Sequence, residues 1–162
     1  MAQGANLDAL LERLRGRIGM TSAQVVRKIE AGALIKFARA TGQTDPLYID
    51  EEAARAGRYG ALVAPPTYLS TFGNDTLGHG LMEKDLPFDM FLHTDDQVES
   101  RRPILAGDQI RAVARYADAY VREGRNGPLL FQIAEIILTN QKREDVATIR
   151  VGSAAFDKAV PA

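Results

Sequence analysis

The feature that most narrows the fold is a change of character at Met90. Beyond it the chain reads as long strands separated by short breakers. Residues 91–103 form a first candidate strand, followed by an Ala106-Gly107-Asp108 turn. Residues 109–122 form a long strand in which Arg111, Arg115 and Arg122 are spaced by apolar residues. Gly124, Gly127 and Pro128 break that strand, and residues 129–140, rich in Ile and Leu, make the next one. Residues 142–145 turn again, and 146–156 close the series. Long consecutive strands joined by tight turns make an antiparallel meander.

One segment before the meander is nearly uncharged, GALVAPPTYLSTFGNDTLG at 60–78. Pro65 and Pro66 suit the start of a helix, where a missing amide costs little. Tyr68, Leu69, Phe72 and Leu77 are apolar, and Leu69 and Phe72 share a face. A helix of this kind must be buried, so the sheet has to curl around it. The expectation is an α+β architecture, a long antiparallel sheet wrapped on a central helix.

The remaining elements are shorter. Asn6 is a candidate N-cap for a helix over about 7–18, with Leu7, Leu10, Leu11, Leu14 and Ile18 at helical spacing and Gly19 as its stop. Residues 24–29 read as a strand, and 31–40 as a helix closed by Gly42. Asp45-Pro46 marks a turn. Asp50 then caps a short helix that ends at Gly57. The 162 residues fit a single domain, and no repeat divides them.

Composition excludes several classes of chemistry. With Cys 0 there is neither a disulfide framework nor a thiolate nucleophile, and two histidines cannot build a three-His metal centre. We therefore expect no metal site. A formal net charge of -1 argues against bulk electrostatic binding of nucleic acid or a membrane surface. No apolar run approaches the length of a membrane helix, and the start lacks the pattern of a signal peptide, so a cytoplasmic protein is expected.

Several polar residues carry two readings. His79 and His93 are either loop and strand-end residues or acid–base groups. Asp95, Asp96 and Glu99 read as a solvated strand face. Asp45 reads as a turn former. Arg101-Arg102 either meets an acidic ligand or blunts an edge strand.

An ordered set of segments adds to this. ALIKFARATG, then DPLYIDEEAARAGRYGALVAPPTYL, then ESRRPILAGDQIRAVARYADAYVREGR, LLFQIAEIILTNQ and VATIRVGSAAF run in sequence over about 23–156. In this order they resemble the MaoC-like hotdog hydratases and dehydratases, in the N-terminal-type dehydratase branch. The resemblance implies a hotdog fold with the helix over about 65–77 at its centre. It also implies addition of water to an enoyl thioester, or its removal from a 3-hydroxyacyl thioester. Active members of that family use an Asp and a His in D-x-N-P-x-H, and a backbone amide at the central helix start polarises the carbonyl.

Carried over residue by residue, the family Asn-Pro falls on Asp45-Pro46, the catalytic Asp on Gln43 and the catalytic His on Tyr48. The amide donor falls on Pro66, which has no N–H. An amide is no general base, and a phenol, with an ordinary pKa of about 10, is a poor one near neutral pH. Asp45 remains as a residual catalytic candidate. The resemblance therefore implies a dyad-lacking, substrate-binding subunit that pairs with a catalytic MaoC-like subunit. One alternative is a self-sufficient homodimeric enoyl-CoA hydratase using Asp45, and another is a non-catalytic acyl-CoA-binding protein. Pro65, Pro66, Thr67 and Tyr68 would line the acyl site. Arg58, Arg101 and Arg102 would meet the CoA phosphates. No cofactor is expected beyond the CoA or carrier thioester itself.

Overall fold

The computed structural model describes residues 2–77, 81–125 and 127–158. Helix α1 (Ala2–Arg15) precedes strand β1 (Val25–Lys28) and helices α2 (Ala31–Ala40), α3 (Pro46–Ile49) and α4 (Glu51–Ala56). A 3-10 turn (Pro66–Ser70) leads into helix α5 (Thr71–Leu77). Strands β2 (Met90–Ser100), β3 (Gln109–Gly124), β4 (Gly127–Thr139) and β5 (Asp145–Phe156) complete the chain. The five strands form one sheet in the order β1-β3-β4-β5-β2, with every pairing antiparallel. The meander read from the sequence is thus β3-β4-β5, and β2 crosses over to pair with β5 at the far edge.

The sheet's inner face is built from small and branched residues. Ile110, Ala112 and Ala114 of β3, Ala134 and Ile136 of β4, and Ala147 and Ile149 of β5 are all fully buried. The alanines let a helix backbone approach closely, and the helix supplies the bulk. Leu69 and Phe72 are 5% and 0% exposed and join the same core cluster. Bulges at Ala117 and Thr94, and a register shift where β4 leaves β5, interrupt the ladders. Such bulges bend strands and raise local twist, which lets the sheet curl over the helix.

The central helix departs from the expected single α-helix over 65–77. Its first five residues are 3-10, because the two prolines withhold amides and the first bond closes early, from Tyr68 N–H to Pro65 O at 2.8 Å. Arg27 of β1 then ties its turn to the sheet. Its guanidinium donates to Thr71 Oγ1 and Thr71 O and lies 4.1 Å over the Phe72 ring.

The N-terminal helix also differs from the expectation. It begins at Ala2, so Asn6 lies inside it and caps nothing, and it ends at Arg15 rather than at 18. Residues 16–18 continue as tighter turns, bonded Arg17 N–H to Leu14 O and Ile18 N–H to Arg15 O. Gly19 then takes φ +92 and donates to Tyr116 O of β3. Ile18 consequently turns outward and is 48% exposed, whereas Leu10 and Leu14 are buried. Among the described residues, no helix is long and apolar enough to cross a membrane.

Candidate functional site

The predicted site residues lie on two sequence segments that the backbone brings together. Asp45 caps α3 through Leu47 N–H to Asp45 Oδ1 at 2.9 Å, and Asp50 caps α4 by accepting from Glu52 and Ala53. The chain then returns, and Val63 N–H donates to Leu47 O at 3.2 Å. Val63 bridges Leu105, with Ala64 N–H to Ile104 O and Ala106 N–H to Leu62 O on either side. The start of the central helix is therefore held between α3 and the segment that follows β2.

A cleft of about 330 Å3 opens at this junction. It is bordered by Tyr48, Tyr59, Pro66, Leu69, Arg101 and Arg102, among others. Of the expected residues, Tyr48, Pro66, Arg101 and Arg102 are thus assembled around one space, although Arg102 lies 36 positions after Pro66 and Pro66 lies 18 positions after Tyr48.

Others stand apart from it. Gln43 lies in the cap of α2, donating its backbone N–H to Ala38 O, and is absent from the cleft lining. Asp45 is exposed, uses Oδ1 on Leu47, and also lies outside the lining. Pro65 is buried and Thr67 exposed, and neither borders the cleft. Tyr68 is 7% exposed and packs edge-on between Phe37 and Phe72, with ring centroids 5.2 and 6.3 Å away. Arg58 lies outside the lining too, with its guanidinium 5.4 Å from the ring of Tyr59, which does border the cleft.

The two cleft arginines are engaged with the protein. Arg101 donates to Glu99 Oε2 at 2.8 Å and Thr148 Oγ1 at 2.9 Å. Arg102 donates to Asp145 O at 2.7 Å and lies 3.9 Å from Glu144. The amide of Asn140, bonded at 2.8 Å, holds the Glu144 carboxyl below the usual carboxylate value, with help from Arg102 and Lys142. Their side chains remain 38% and 47% exposed, so both cations still face solvent at the cleft rim.

A second cleft, of about 450 Å3, lies between the central helix and the β2 end of the sheet. Leu77, Met82, Phe91 and Val151 give it apolar walls, and Lys84, His93, Asp96 and Ser153 supply polar groups. His93 Nε2 lies 2.8 Å from Asp96 Oδ1. Asp96 does not belong to a solvated strand face, because its side chain is 20% exposed and turns toward the helix. Asp95 and Glu99 are exposed, as expected. The sequence offers His-x-x-Asp here, but that spacing places the two on opposite faces of a regular strand, so the pairing depends on the bulge at Thr94. His79 lies outside the described residues.

The loop between the helix and β2 is pinned from both sides. Gln132, 1% exposed, accepts from Glu83 N–H and donates to Glu83 O, and Tyr116 OH donates to the same Gln132 oxygen. The Glu83 carboxylate accepts from Arg13 and Arg17 of the N-terminal segment. This fixes Met82 and Lys84, which among the described residues of the loop border the second cleft. Burial pushes the Tyr116 hydroxyl up to about 12.

Comparison with known proteins comes to the same fold. Residues 17–149 match a family model described as FAS1-like, dehydratase domain region. A UPF0336 protein of Parafrankia sp. is 40% identical over 98 residues, 59% of this chain and 64% of that protein. The chain spans only about half the length of two further curated relatives of this kind. Among solved structures, the ChsH1-ChsH2 complex from Mycobacterium tuberculosis superposes with a TM-score of 0.76 at 21% identity, over 96% of this chain and 98% of that one. The truncated HadBC (3R-hydroxyacyl-ACP dehydratase) complex from the same organism gives 0.73 at 23% identity, over 86% and 97%. These likenesses establish the MaoC-like hotdog fold.

Proposed function

The chain belongs to the FAS1-like dehydratase-region family, and from that premise we propose that it is the dyad-lacking, substrate-binding subunit of an enoyl-CoA hydratase or 3-hydroxyacyl-thioester dehydratase. The observation that carries this reading is the replacement of the catalytic groups, at two positions that border the first cleft and at one outside it. At the family's dyad and donor positions stand Gln43, Tyr48 and Pro66. Hydration requires a base for water, a proton for the α-carbon and a donor for the growing thioester oxyanion. An amide and a phenol are weak substitutes for the first two. Pro66 has no hydrogen to offer the third, and loss of such a donor alone typically costs about a hundredfold in rate.

What the cleft retains is suited to binding. Tyr48, Tyr59, Pro66 and Leu69 make an aromatic and apolar surface, while Arg101 and Arg102 place positive charge at its rim for CoA phosphates. The acyl group follows the start of the central helix, where Pro66 sets the wall, and Pro65, Thr67 and Tyr68 belong to the same turn without bordering the cleft. Tyr68 acts there by packing rather than by direct contact. Arg58, on its aromatic neighbour, adds charge on the same side.

The missing chemistry comes from a second hotdog chain bearing D-x-N-P-x-H. Strand β2 supports such pairing. It runs eleven residues at the sheet edge, pairs on one side with β5, and exposes Leu92 and Val98 at 45% and 40%. Edge strands of this length expose a row of backbone donors and acceptors that another strand can complete. The solved neighbours from M. tuberculosis are themselves complexes, HadBC and ChsH1-ChsH2.

The homodimeric alternative rests on Asp45, and that carboxylate is committed to capping α3 away from the cleft. Co-expression tests the choice. The chain should co-purify one-to-one with a MaoC-like subunit carrying the intact motif, and the pair should hydrate enoyl-CoA. Isolation only as a homodimer that turns over substrate, with activity lost in Asp45→Asn, would reject the proposal.

A further inference from the structure

Strand β2 is an eleven-residue sheet edge whose side chains carry a charge pattern that the two-subunit reading does not use. Its sequence, MFLHTDDQVES, holds three carboxylates, Asp95, Asp96 and Glu99, and neither lysine nor arginine. Two of them have cover from the chain itself. Asp96 Oδ1 lies 2.8 Å from His93 Nε2, and Glu99 Oε2 accepts from Arg101 at 2.8 Å. Asp95 is exposed and accepts only from neutral groups, Thr94 Oγ1 at 2.9 Å and Gln97 Nε2 at 3.3 Å, and no ion pair reaches it among the described residues. Asp96 and Val98 stand opposite Val151 and Ile149, which face the core, so Asp95, Gln97 and Glu99 line the outer face of the edge.

Charges on an edge strand can serve only to keep other strands away. Edges guarded in that way are commonly kept short, and β2 is long. Beyond its bulge, residues 95–100 run in unbroken register with β5. Leu92 and Val98 remain 45% and 40% exposed on either side of the carboxylates at 95 and 96, as apolar surface that an added strand would cover. The edge is therefore built to pair, and its charge decides with what.

A second copy of this chain is the wrong occupant. Two antiparallel β2 strands bring six carboxylates, three from each, into one ladder with no lysine or arginine in either strand. Overlap of all eleven residues sets Asp95 opposite its own copy, and a slip of one position sets it opposite Asp96 or Thr94. Like charges directly opposite destabilise a strand pair. The other edge of the sheet does not complement β2 either. Strand β1 carries Arg27 and Lys28, but it is four residues long, and the Arg27 guanidinium is turned to Thr71 and the Phe72 ring.

We propose that β2 selects its partner by charge: it disfavours a second copy of this chain and pairs with a hotdog chain whose own edge strand presents lysine or arginine opposite Asp95 and Glu99. The inference rests on the two-subunit reading of the previous section and adds the chemistry of the partner's edge to it. Backbone bonds and the covered Leu92 and Val98 hold the pair together, while the carboxylates reject wrong partners and speed encounter with the right one.

Sedimentation velocity at low ionic strength tests this with two forms of the whole chain, the wild type and Asp95→Lys/Glu99→Lys, whose β2 strand has the opposite charge. An equimolar mixture should form a mixed dimer at least about fivefold tighter than the dimer of either form alone, because repulsion across the ladder becomes attraction. The advantage should shrink to about twofold in about 0.5 M salt. Circular dichroism checks that the reversed chain is folded. The nearly isosteric Asp95→Asn/Glu99→Gln carries the test independently, since it should pair with the wild type more tightly than the wild type pairs with itself. Mixed dimers no tighter than the wild-type dimer, or no association in any mixture, would overturn the charge rule. A MaoC-like subunit that co-purifies with the wild type gives the second arm, and it should bind the reversed chain at least about fivefold more weakly. Equal binding of the two forms would overturn the charge rule and leave the two-subunit reading standing. A wild-type homodimer that hydrates enoyl-CoA unaided would overturn both.

Discussion

Replacing Gln132 with leucine should destabilise the protein by about 2–3 kcal/mol, and the figure follows from three bonds. Gln132 is 1% exposed and satisfies Tyr116 OH, Glu83 N–H and Glu83 O at 3.0, 3.0 and 2.7 Å. Leucine is close to glutamine in size, so the cavity contribution is small and the loss is polar. The Tyr116 ring is 0% exposed, and its orphaned hydroxyl should cost about 1–2 kcal/mol. The two Glu83 backbone groups lie nearer solvent and should cost about 1 kcal/mol each. Burial of the leucine side chain offsets about 1 kcal/mol. At about 2–4 °C per kcal/mol for a domain of this size, the melting temperature should fall by about 5–10 °C. Differential scanning calorimetry reads this directly. A double-mutant cycle with Tyr116→Phe sharpens it, because removing the hydroxyl removes the orphan. The double variant should be less destabilised than the sum of the singles by about 0.5–1 kcal/mol. A melting temperature within 1–2 °C of the parent (roughly 0.5 kcal/mol here), or a strictly additive cycle, would refute the reasoning.

Other consequences can be checked together. Because the folded Tyr116 hydroxyl titrates at about 12 and an unfolded one at about 10, the native state keeps a proton that the unfolded state releases. Stability is thus complete below pH 10 and falls as pH rises toward 12, and Tyr116→Phe should flatten that part of a urea-denaturation pH series. Asp45→Ala should cost about 1 kcal/mol through loss of the α3 cap, seen by thermal melting, while turnover of the assembled pair stays within twofold. Charge reversal of Arg101 and Arg102 together should weaken acyl-CoA binding by about tenfold or more at low salt and less at high salt, measured by calorimetry at two ionic strengths. Lysines at Leu92 and Val98 should abolish co-purification with a catalytic subunit without unfolding the chain, as judged by size-exclusion chromatography and circular dichroism.

The fold was largely legible because it rests on periodicity and breakers. The meander, the buried central segment and the Asp50 cap all follow from local residue types, and each stands where those types place it. The N-terminal helix departs from its sequence pattern at both ends. Its Leu spacing continues to Ile18, but the tertiary bond from Gly19 to Tyr116 O closes the helix early and turns Ile18 outward. The double proline marked a helix start without showing that the first turn would be 3-10.

The candidate site was legible only in part. The family resemblance, carried over residue by residue, singled out Tyr48 and Pro66, and the fold does bring them to one cleft with Arg101 and Arg102. Tyr59 also borders the cleft, and its place between Arg58 and Gly60 carries no motif that marks it. The His93–Asp96 pair was not legible, since regular strand alternation sends the two residues to opposite faces. Its only sequence trace is Gly152, distant in the chain, whose meaning depends on pairing with β2.

The central claim is that this chain binds an acyl thioester but lacks the groups to hydrate it. The most direct test is the rate of crotonyl-CoA hydration by the purified chain alone, followed by loss of enoyl absorbance, against the same chain after addition of a MaoC-like subunit with an intact dyad. The account predicts a rate indistinguishable from buffer for the chain alone and robust turnover for the pair. Turnover by the chain alone at a rate comparable to the pair would contradict it.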